Sequence, residues 1–408
     1  MGNTFLAKVT KSVIHGYSMN IDKKMIKSNI PKIRFNNFKA FWVEKRIADI
    51  VKISAGGDVD KVKLKESGKY PVVANALTNK GIVGFYDDYK VKAPAVTVTG
   101  RGDVGYAVAR HENFTPVVRL LTLQSENIDV DYLENQINSM RILNESTGVP
   151  QLTAPQLGNY KVYHPEIDEQ SAIGSLFRTL DDLLASYKDN LANYQSLKAT
   201  MLSKMFPKAG ETVPEIRLDG FEGEWVEKRL KDISKRVTRK NNDLVSERAL
   251  TISAQFGLID QEEFFQKKIA SKDASGYYLI QKGEFAYNKS YSTGYPLGAI
   301  KRLDKYENGV LSTLYILFKA VDVDSDYLAH YYESDKWHRE VSMCAAEGAR
   351  NHGLLNITPV DFFNTRLVVP KELEEQRAIG SYFSNLDNLI NSHLEKITQL
   401  ENLNKKLL

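Results

Sequence analysis

The chain has 408 residues, of which 42% are hydrophobic and 26% charged, and its net charge is +4. This length and composition are typical of a globular protein of two or three domains and exclude a fibrous or low-complexity chain. The single cysteine, Cys344, excludes an internal disulfide and fits the reducing cytoplasm, where we expect the protein to work. No apolar run resembles a signal peptide or reaches the roughly 18 residues of a membrane span, so we expect no contact with a membrane.

Two segments of the chain occur twice. Residues 31–50 read PKIRFNNFKAFWVEKRIADI, and residues 214–233 read PEIRLDGFEGEWVEKRLKDI, identical at 11 of 20 positions. The segment at 164–184 returns in the same way at 369–390. The sequence therefore predicts two copies of one unit joined head to tail, preceded by an N-terminal extension (1–30) that matches nothing later.

The interiors of the two copies carry short β-rich runs separated by Gly, Asn and Asp. The runs lie at 70–74, 81–86, 95–99 and 117–123 in the first copy, and at 277–280, 285–287, 298–300 and 314–318 in the second. Helical stretches are predicted later in each copy, near 132–143 and 327–341. Strands that precede a helix favour an α+β fold over a doubly wound sheet.

A heptad pattern follows each recurring Glu-Gln pair, because apolar residues recur at alternating spacings of four and three. The seam positions are Ile173, Phe177, Leu180, Leu184 and Leu191 in the first copy, and Ile379, Phe383, Leu386, Ile390, Ile397 and Leu400 in the second. Each run predicts a helix of about 50 Å. Because the seams match in length and phase, we predict that the two helices pack against each other, with Lys198 and Asn404 as polar seam positions that help to specify orientation. Packing of each seam on the globular domain before it is the alternative.

The interiors differ between the copies although the flanking segments agree. The distance from the recurring segment to the Glu-Gln pair is 138 residues in the first copy and 161 in the second, and identity inside is too low to align. We interpret this as one scaffold that carries two different recognition domains, with neutral drift of loops as the alternative. Residues 1–163 carry a net charge of +8 and residues 207–368 a net charge of −1. A basic first half favours a polyanionic partner, unless the excess is ordinary surface lysine.

The segments around Trp42 and Trp225, together with the helix starts at 165–183 and 370–389, resemble the specificity subunits of type I restriction–modification systems. The resemblance implies an α+β fold in which two target recognition domains are separated by two long antiparallel coiled-coil helices. The domains would span 31–165 and 207–368, and the helices 166–206 and 369–408. Each domain would read one half of an asymmetric bipartite DNA site.

The resemblance also implies that the chain is not an enzyme and holds no cofactor. Its partners would be double-stranded DNA, two adenine methyltransferase subunits that use S-adenosylmethionine, and two restriction subunits that use ATP and Mg²⁺. The sequence lacks a glycine-rich nucleotide loop, a metal-binding His spacing and the Asn/Asp-Pro-Pro-Tyr/Phe segment of amino-methyltransferases. Two alternatives stay open: a scaffold that joins proteins without binding DNA, and an enzyme with an unrecognised duplicated active site.

Candidate DNA contacts lie in polar, often glycine-containing stretches next to β-rich runs. Arg, Lys and Asn side chains can donate to base edges, and glycine lets the backbone approach a phosphate. The candidates are Thr99, Arg101, Thr147 and Gln151 in the first copy, and Asn288, Lys289, Tyr291, Arg350, Asn351 and His352 in the second. A turn with one exposed cation is the alternative for each stretch, and a capping or core role is the alternative for His352.

Residues that recur in both copies are poor candidates for reading two different half-sites. Trp42 and Trp225 are therefore predicted to pack within the fold. The recurring arginines could contact phosphates or a partner subunit, or form ion pairs with carboxylates; they are Arg34, Arg46, Arg217 and Arg229.

Overall fold

The computed structural model describes residues 19–21, 31, 33–142, 151–253, 257–266, 274–290, 294–345 and 355–407. These residues form two compact units. The first unit holds the described residues up to Lys188 and those from Glu395 onward, and the second holds Asp189–Leu394. Both divisions fall inside a long helix, so each long helix contributes to both units.

The first unit is built on a four-stranded antiparallel sheet of order β4-β10-β7-β8. Smaller sheets pair β1 with β2, β3 with β11, and β5 with β6 and β9. The strands are β1 (Met19–Ile21), β2 (Ile33–Phe35), β3 (Val43–Arg46), β4 (Lys52–Ala55), β5 (Tyr70–Val73), β6 (Ile82–Tyr86), β7 (Ala95–Val98), β8 (Ala107–Arg110), β9 (Thr115–Pro116), β10 (Leu121–Gln124) and β11 (Lys161–His164). The helices are α1 (Ile47–Ile50), α2 (Val130–Asn138), α3 (Ala154–Asn159) and the first part of α4 (Ile167–Lys204), with a 3₁₀ turn at Thr78–Gly81.

The second unit has a four-stranded antiparallel sheet of order β13-β20-β17-β18. Two-stranded sheets pair β12 with β21, β14 with β15, and β16 with β19. The strands are β12 (Val226–Arg229), β13 (Ser234–Val237), β14 (Leu250–Ser253), β15 (Gly257–Asp260), β16 (Tyr278–Gln281), β17 (Phe285–Asn288), β18 (Ala299–Arg302), β19 (Asn308–Leu311), β20 (Ile316–Ala320) and β21 (Arg366–Val369). The helices are α5 (Leu230–Ile233), α6 (Gln261–Phe265), α7 (Ser325–Tyr331), α8 (His338–Cys344), α9 (Pro359–Phe363) and α10 (Leu373–Leu407).

The two interiors share one framework despite their low identity. Their four-stranded sheets have the same strand order and directions. In both interiors, the helix that follows the last strand of this sheet is capped by an aspartate, Asp129 for α2 and Asp324 for α7. The side chain of each aspartate accepts a hydrogen bond from the backbone N–H of a tyrosine. The two divergent sequences therefore form one common sheet, and the structural differences lie in the small sheets and the loops.

The predicted strands and helices agree with this α+β fold, with three corrections. Strand β10 begins only at Leu121, so the run at 117–123 is a strand in its last part. The helix predicted near 132–143 is the shorter α2. The helix predicted at 327–341 is two helices, α7 and α8, since the Ser334 hydroxyl donates to the Tyr331 carbonyl and competes with the helical backbone there.

The long helices α4 and α10 pair in antiparallel fashion, as the resemblance implied. In the first unit, Lys188 forms an ion pair with Glu401. In the second unit, the ring of Tyr194 lies against His393 and Lys198 pairs with Asp387. Residue numbers therefore fall along α10 as they rise along α4. With 38 and 35 residues, the helices measure about 57 and 52 Å.

The seam is buried both between the helices and against each unit. In the first unit, Leu176, Leu180 and Leu400 form one buried cluster, with Ile173 and Leu184 packed against it. In the second unit, the seam residues Ile379, Phe383 and Leu386 join the main core of that unit. Helix pairing is thus confirmed, and packing on the globular domain also holds for part of the α10 seam. Within the described part of the chain, every helix is too short or too polar to cross a membrane.

Candidate nucleic-acid interface

A buried ion pair ties the start of the first copy to its long helix. Arg34 donates from Nε and Nη2 to the carboxylate of Glu169 at 2.6 and 2.7 Å. Trp42 donates from its indole N–H to the same carboxylate at 3.0 Å. The side chain of Glu169 is only 2% exposed. A buried carboxylate is tolerated when its lone pairs accept hydrogen bonds in this way.

The second copy repeats this arrangement with equivalent residues, although the indole donates to the other oxygen of the carboxylate. Arg217 donates to Glu375 at 2.7 and 2.8 Å, and the indole N–H of Trp225 donates to it at 3.2 Å. The packing predicted for both tryptophans is confirmed, since each is at least nine-tenths buried. Of the open alternatives for the two recurring arginines, an ion pair with a carboxylate is the one the structure supports. We call these two sets of three residues the anchors.

The glutamine that follows each anchor glutamate holds the long helix to the short helix of its own unit. Gln170 accepts a hydrogen bond from the backbone N–H of Asp129 at 3.1 Å, and Gln376 accepts one from Asp324 at 2.9 Å. Both aspartates are the N-caps described above. The recurring Glu-Gln pair therefore has a structural role, which sequence reasoning missed although its recurrence was visible.

Each long helix has one glycine at the equivalent position because the start of the short helix, α2 or α7, packs against it there. A Cβ on Gly174 would lie 2.3 Å from the Asp129 carboxylate, and one on Gly380 would lie 2.8 Å from the Tyr327 nitrogen. Such distances leave no space for a side chain. The anchors, glutamines and glycines together fix the start of each copy and its short helix to the long helix in the same way.

The predicted contact loop of the first domain follows β7. Thr99 is 4% exposed. Its hydroxyl donates to the carbonyl of Asp103 and accepts from the backbone N–H of Tyr106. Thr99 thus shapes the loop, and its hydroxyl is already engaged within the fold.

Arg101 and Gln151, predicted separately from the sequence, lie side by side. They form an antiparallel bridge, and Leu152 donates its N–H to the carbonyl of Gly100 at 2.9 Å. Both side chains are exposed. In the described part of the chain, Arg101 has no carboxylate or hydrogen-bond partner. Contact of either residue with DNA stays a prediction.

Sequence reasoning missed Asn75, which connects this loop to its neighbour. Its side-chain oxygen accepts from the Gly100 N–H at 2.8 Å, and its side-chain nitrogen donates to the Val118 carbonyl at 3.0 Å. Nothing in the local sequence signals this role, because the two partners lie 25 and 43 residues away.

The equivalent loop of the second domain follows β17 and is more enclosed. The ammonium of Lys289 donates to the Ile357 carbonyl at 3.2 Å, and burial lowers its pKa. Asn288 accepts from the Ser290 N–H at 3.0 Å. The backbone of Lys289 also accepts from the Leu355 N–H, so this loop too lies beside the segment before the last strand.

The remaining candidates lie outside the described residues and stay predictions. They are Thr147 in the first copy and Tyr291, Arg350, Asn351 and His352 in the second.

A charged cluster surrounds the polar seam residue Lys198. Its ammonium lies 2.5 Å from Asp387 and 2.7 Å from Glu333. Burial favours a raised pKa for Glu333, but the hydrogen bond from His330 and the charge of Lys198 outweigh it and hold the pKa well below its usual range. Glu333, Asp387 and His330 could otherwise offer ligand atoms to a metal ion. Because the lysine already supplies the positive charge, the cluster stabilises the helix pair and is not assigned a metal.

Comparisons with known proteins agree with these features. Residues 39–193 match the family model described as type I restriction modification DNA specificity domain. Two Mycoplasma pneumoniae proteins named as type I specificity subunits are each 27% identical to the chain, over 143 and 176 residues. The alignments cover 34% and 41% of this chain and 39% and 56% of those proteins. The chain thus spans about half the length of the curated relatives it matches.

A solved structure extends the comparison over nearly the whole fold. The type I restriction–modification S subunit from M. genitalium superposes with a TM-score of 0.60, covering 94% of this chain and 98% of that one at 17% identity. The two proteins therefore share a fold. Together the comparisons confirm the resemblance predicted from the sequence: residues 39–193 match the specificity-domain family, and the fold is similar to that of a type I specificity subunit.

Proposed function

We propose that this chain is the DNA-specificity subunit of a type I restriction–modification complex. Each unit presents one recognition domain, and each domain reads a different half of an asymmetric bipartite site. The paired helices α4 and α10 set the number of base pairs between the halves and dock the partner subunits.

One observation carries the proposal: the two copies have equivalent residues in their anchors and different residues in the loops that are candidates for DNA contact. The anchors repeat with equivalent arginine, tryptophan and glutamate residues at nearly the same distances. The loops after β7 and β17 instead present different side chains, an exposed Arg101 in one and a half-buried Lys289 in the other. Equal scaffolds with unequal readers suit a site without two-fold symmetry, since identical readers would select a palindrome.

We propose that the chemistry belongs to the partners. Two methyltransferase subunits would transfer a methyl group from S-adenosylmethionine to adenine N6, after taking the base out of the duplex. Two restriction subunits would use ATP and Mg²⁺. The candidate side chains of this chain are hydrogen-bond donors of the kind that read base edges, and donors of this kind give specificity without taking part in a reaction.

Mapping of methylated adenines tests the proposal. The chain and its methyltransferase subunits are expressed together, and every methylated adenine is located by single-molecule sequencing. We expect one asymmetric motif of two parts with a fixed unread spacer, and no such motif when the chain is omitted. A variant that replaces Arg350, Asn351 and His352 together should relax one part alone.

Two results would contradict the proposal. Methylation of the same motif without the chain would place the specificity in a partner. Equal relaxation of both parts in the triple variant would mean that these three residues support the fold or general affinity.

A further inference from the structure

Two exposed arginines, Arg101 and Arg119, lie close together in the chain segments that extend beyond the four-stranded sheet of the first unit. Beyond the Val98–Leu121 pair of β7 and β10, the two chain segments continue side by side. A Cβ on Gly100 would lie 2.2 Å from the carbonyl oxygen of Arg119. Glycine therefore permits the contact, and Arg119 lies next to the residue that precedes Arg101. Neighbouring strands are about 4.8 Å apart, so both side chains start from one small patch.

Arg119 adopts a backbone conformation that arginine disfavours. Its φ is +67°, in the left-handed region. Such a conformation is strained in a residue other than glycine, and it concentrates at functional positions. The side chain is exposed, so its burial does not offset this cost. The fold holds Arg119 in place without using its side chain.

The patch is held from three sides. Asn75 bridges Gly100 and Val118 with its side-chain amide. The segment at 151–152 pairs with the outer side of the loop. On the inner side, Gly56 donates its N–H to the Leu120 carbonyl at 2.9 Å. Positions fixed in this way lose little conformational entropy when a ligand binds.

Within the described part of the chain, the side chains of Arg101 and Arg119 form no ion pair and no hydrogen bond. A free guanidinium is a planar fork of donors that fits guanine O6 and N7. Adjacent base pairs are about 3.4 Å apart along the duplex. Two long arginine side chains that start about 4.8 Å apart can converge on base pairs at this spacing.

We propose that Arg101 and Arg119 read guanines at adjacent positions of the half-site of the first domain, with Asn75 as the positioning residue. The inference rests on the proposed function and adds to it a predicted composition for one half-site. The second domain does not share the pair. Its segment before β20 reads LSTLY at 311–315, with an exposed Leu314.

The test uses the full chain in complex with its methyltransferase subunits. Affinity is measured for duplexes in which each position of the mapped site is varied, at several salt concentrations. Arg119→Gly is the decisive variant, because glycine suits the positive φ and so removes the side chain without adding backbone strain. Arg119→Lys keeps the charge and loses the fork. Lys61→Ala removes an exposed cation elsewhere in the same unit and serves as the control.

With Arg119→Gly, we expect the preference for guanine at one position to fall roughly 5- to 160-fold, the equivalent of a good bidentate contact. Arg101→Ala should act at the neighbouring position, and Asn75→Ala should weaken the preference at both. Arg119→Lys should keep overall affinity and lose the preference. The other half-site and the Lys61→Ala complex should be unchanged.

Three results would overturn the inference. An equal loss of affinity on every sequence, with a salt dependence reduced by about one charge, would make Arg119 a phosphate contact. Unchanged preferences in Arg119→Gly would show that its side chain does not contact the bases. A wild-type complex without sequence preference at either half would remove the proposed function itself, and this result is recognised before any variant is examined.

Discussion

Replacement of the anchor glutamate, Glu169→Gln, tests the energetic role of the buried ion pair. The side chains of Arg34 and Glu169 are 10% and 2% exposed. Gln has nearly the same size but carries no charge, so the guanidinium of Arg34 would remain in a mostly buried position without a counterion. Breaking a buried pair on one side costs about 3–5 kcal/mol. We therefore expect the free energy of unfolding of the first unit to fall by about this amount.

Urea titration followed by tryptophan fluorescence measures the change, because Trp42 contacts Glu169 directly. With a slope of about 1–3 kcal/mol per molar urea, the midpoint of the first unit should fall by at least about 1 M. Hydrogen exchange with mass spectrometry assigns the transition to β3, β11 and the start of α4. Glu375→Gln should produce the same loss in the second unit, where Arg217 and Glu375 are 16% and 3% exposed.

Glu44→Gln is the matched control. It removes the same charge from an exposed pair with Lys161, in which the side chains are 46% and 60% exposed. Exposed pairs contribute little to stability, because solvent screens their charges. If Glu169→Gln lowers the free energy of unfolding no more than Glu44→Gln does, the anchor does not stabilise the unit and the reasoning is wrong.

Three further predictions concern the helices and the pH dependence of stability. Lys198→Leu should destabilise the second unit in thermal unfolding, because it leaves Glu333 and Asp387 without their lysine partner. Asn404→Leu should instead stabilise the first unit by about 1–3 kcal/mol, because the buried Asn404 oxygen has no partner among the described residues. Burial, with a smaller contribution from nearby carboxylates, raises the pKa of Glu134 to about 7. The folded state therefore holds this proton more tightly, and stability should fall by about 1–3 kcal/mol as pH rises from about 4.5 to 7; Glu134→Gln should abolish this fall in unfolding measurements across pH. Deletion of one heptad from each helix, at 187–193 and 394–400, shortens the pair by about 10 Å. The spacer of the methylated motif should then become shorter by about three base pairs. An unchanged spacer would show that the helices do not set its length.

Much of the scaffold was predictable because its signals are local or repeated. The recurring segments revealed the duplication, and the heptad spacing located both long helices and their seam. Strands β4 and β8 were missed, because each contains a single β-branched residue and no aromatic residue. The break between α7 and α8 was missed too, since it depends on a side-chain hydrogen bond of Ser334.

The candidate interface was predictable only in part. Arg101 and Gln151 were proposed from their residue types, and the structure brings them together. Thr99 and Lys289 were proposed on the same grounds, yet their polar atoms are engaged inside the fold. Arg119 had no sequence signal, because nothing in the local sequence indicates its positive φ or its position beside Gly100.

The sequence by itself determined the duplicated architecture, the α+β character of each copy and the pairing of the two helices. These follow from repetition and from hydrophobic periodicity, which a linear pattern records directly. Only the tertiary structure decided which polar side chains are free to bind and which are already satisfied. That distinction depends on contacts between residues far apart in the chain, such as Asn75 with Val118, and local sequence does not encode them.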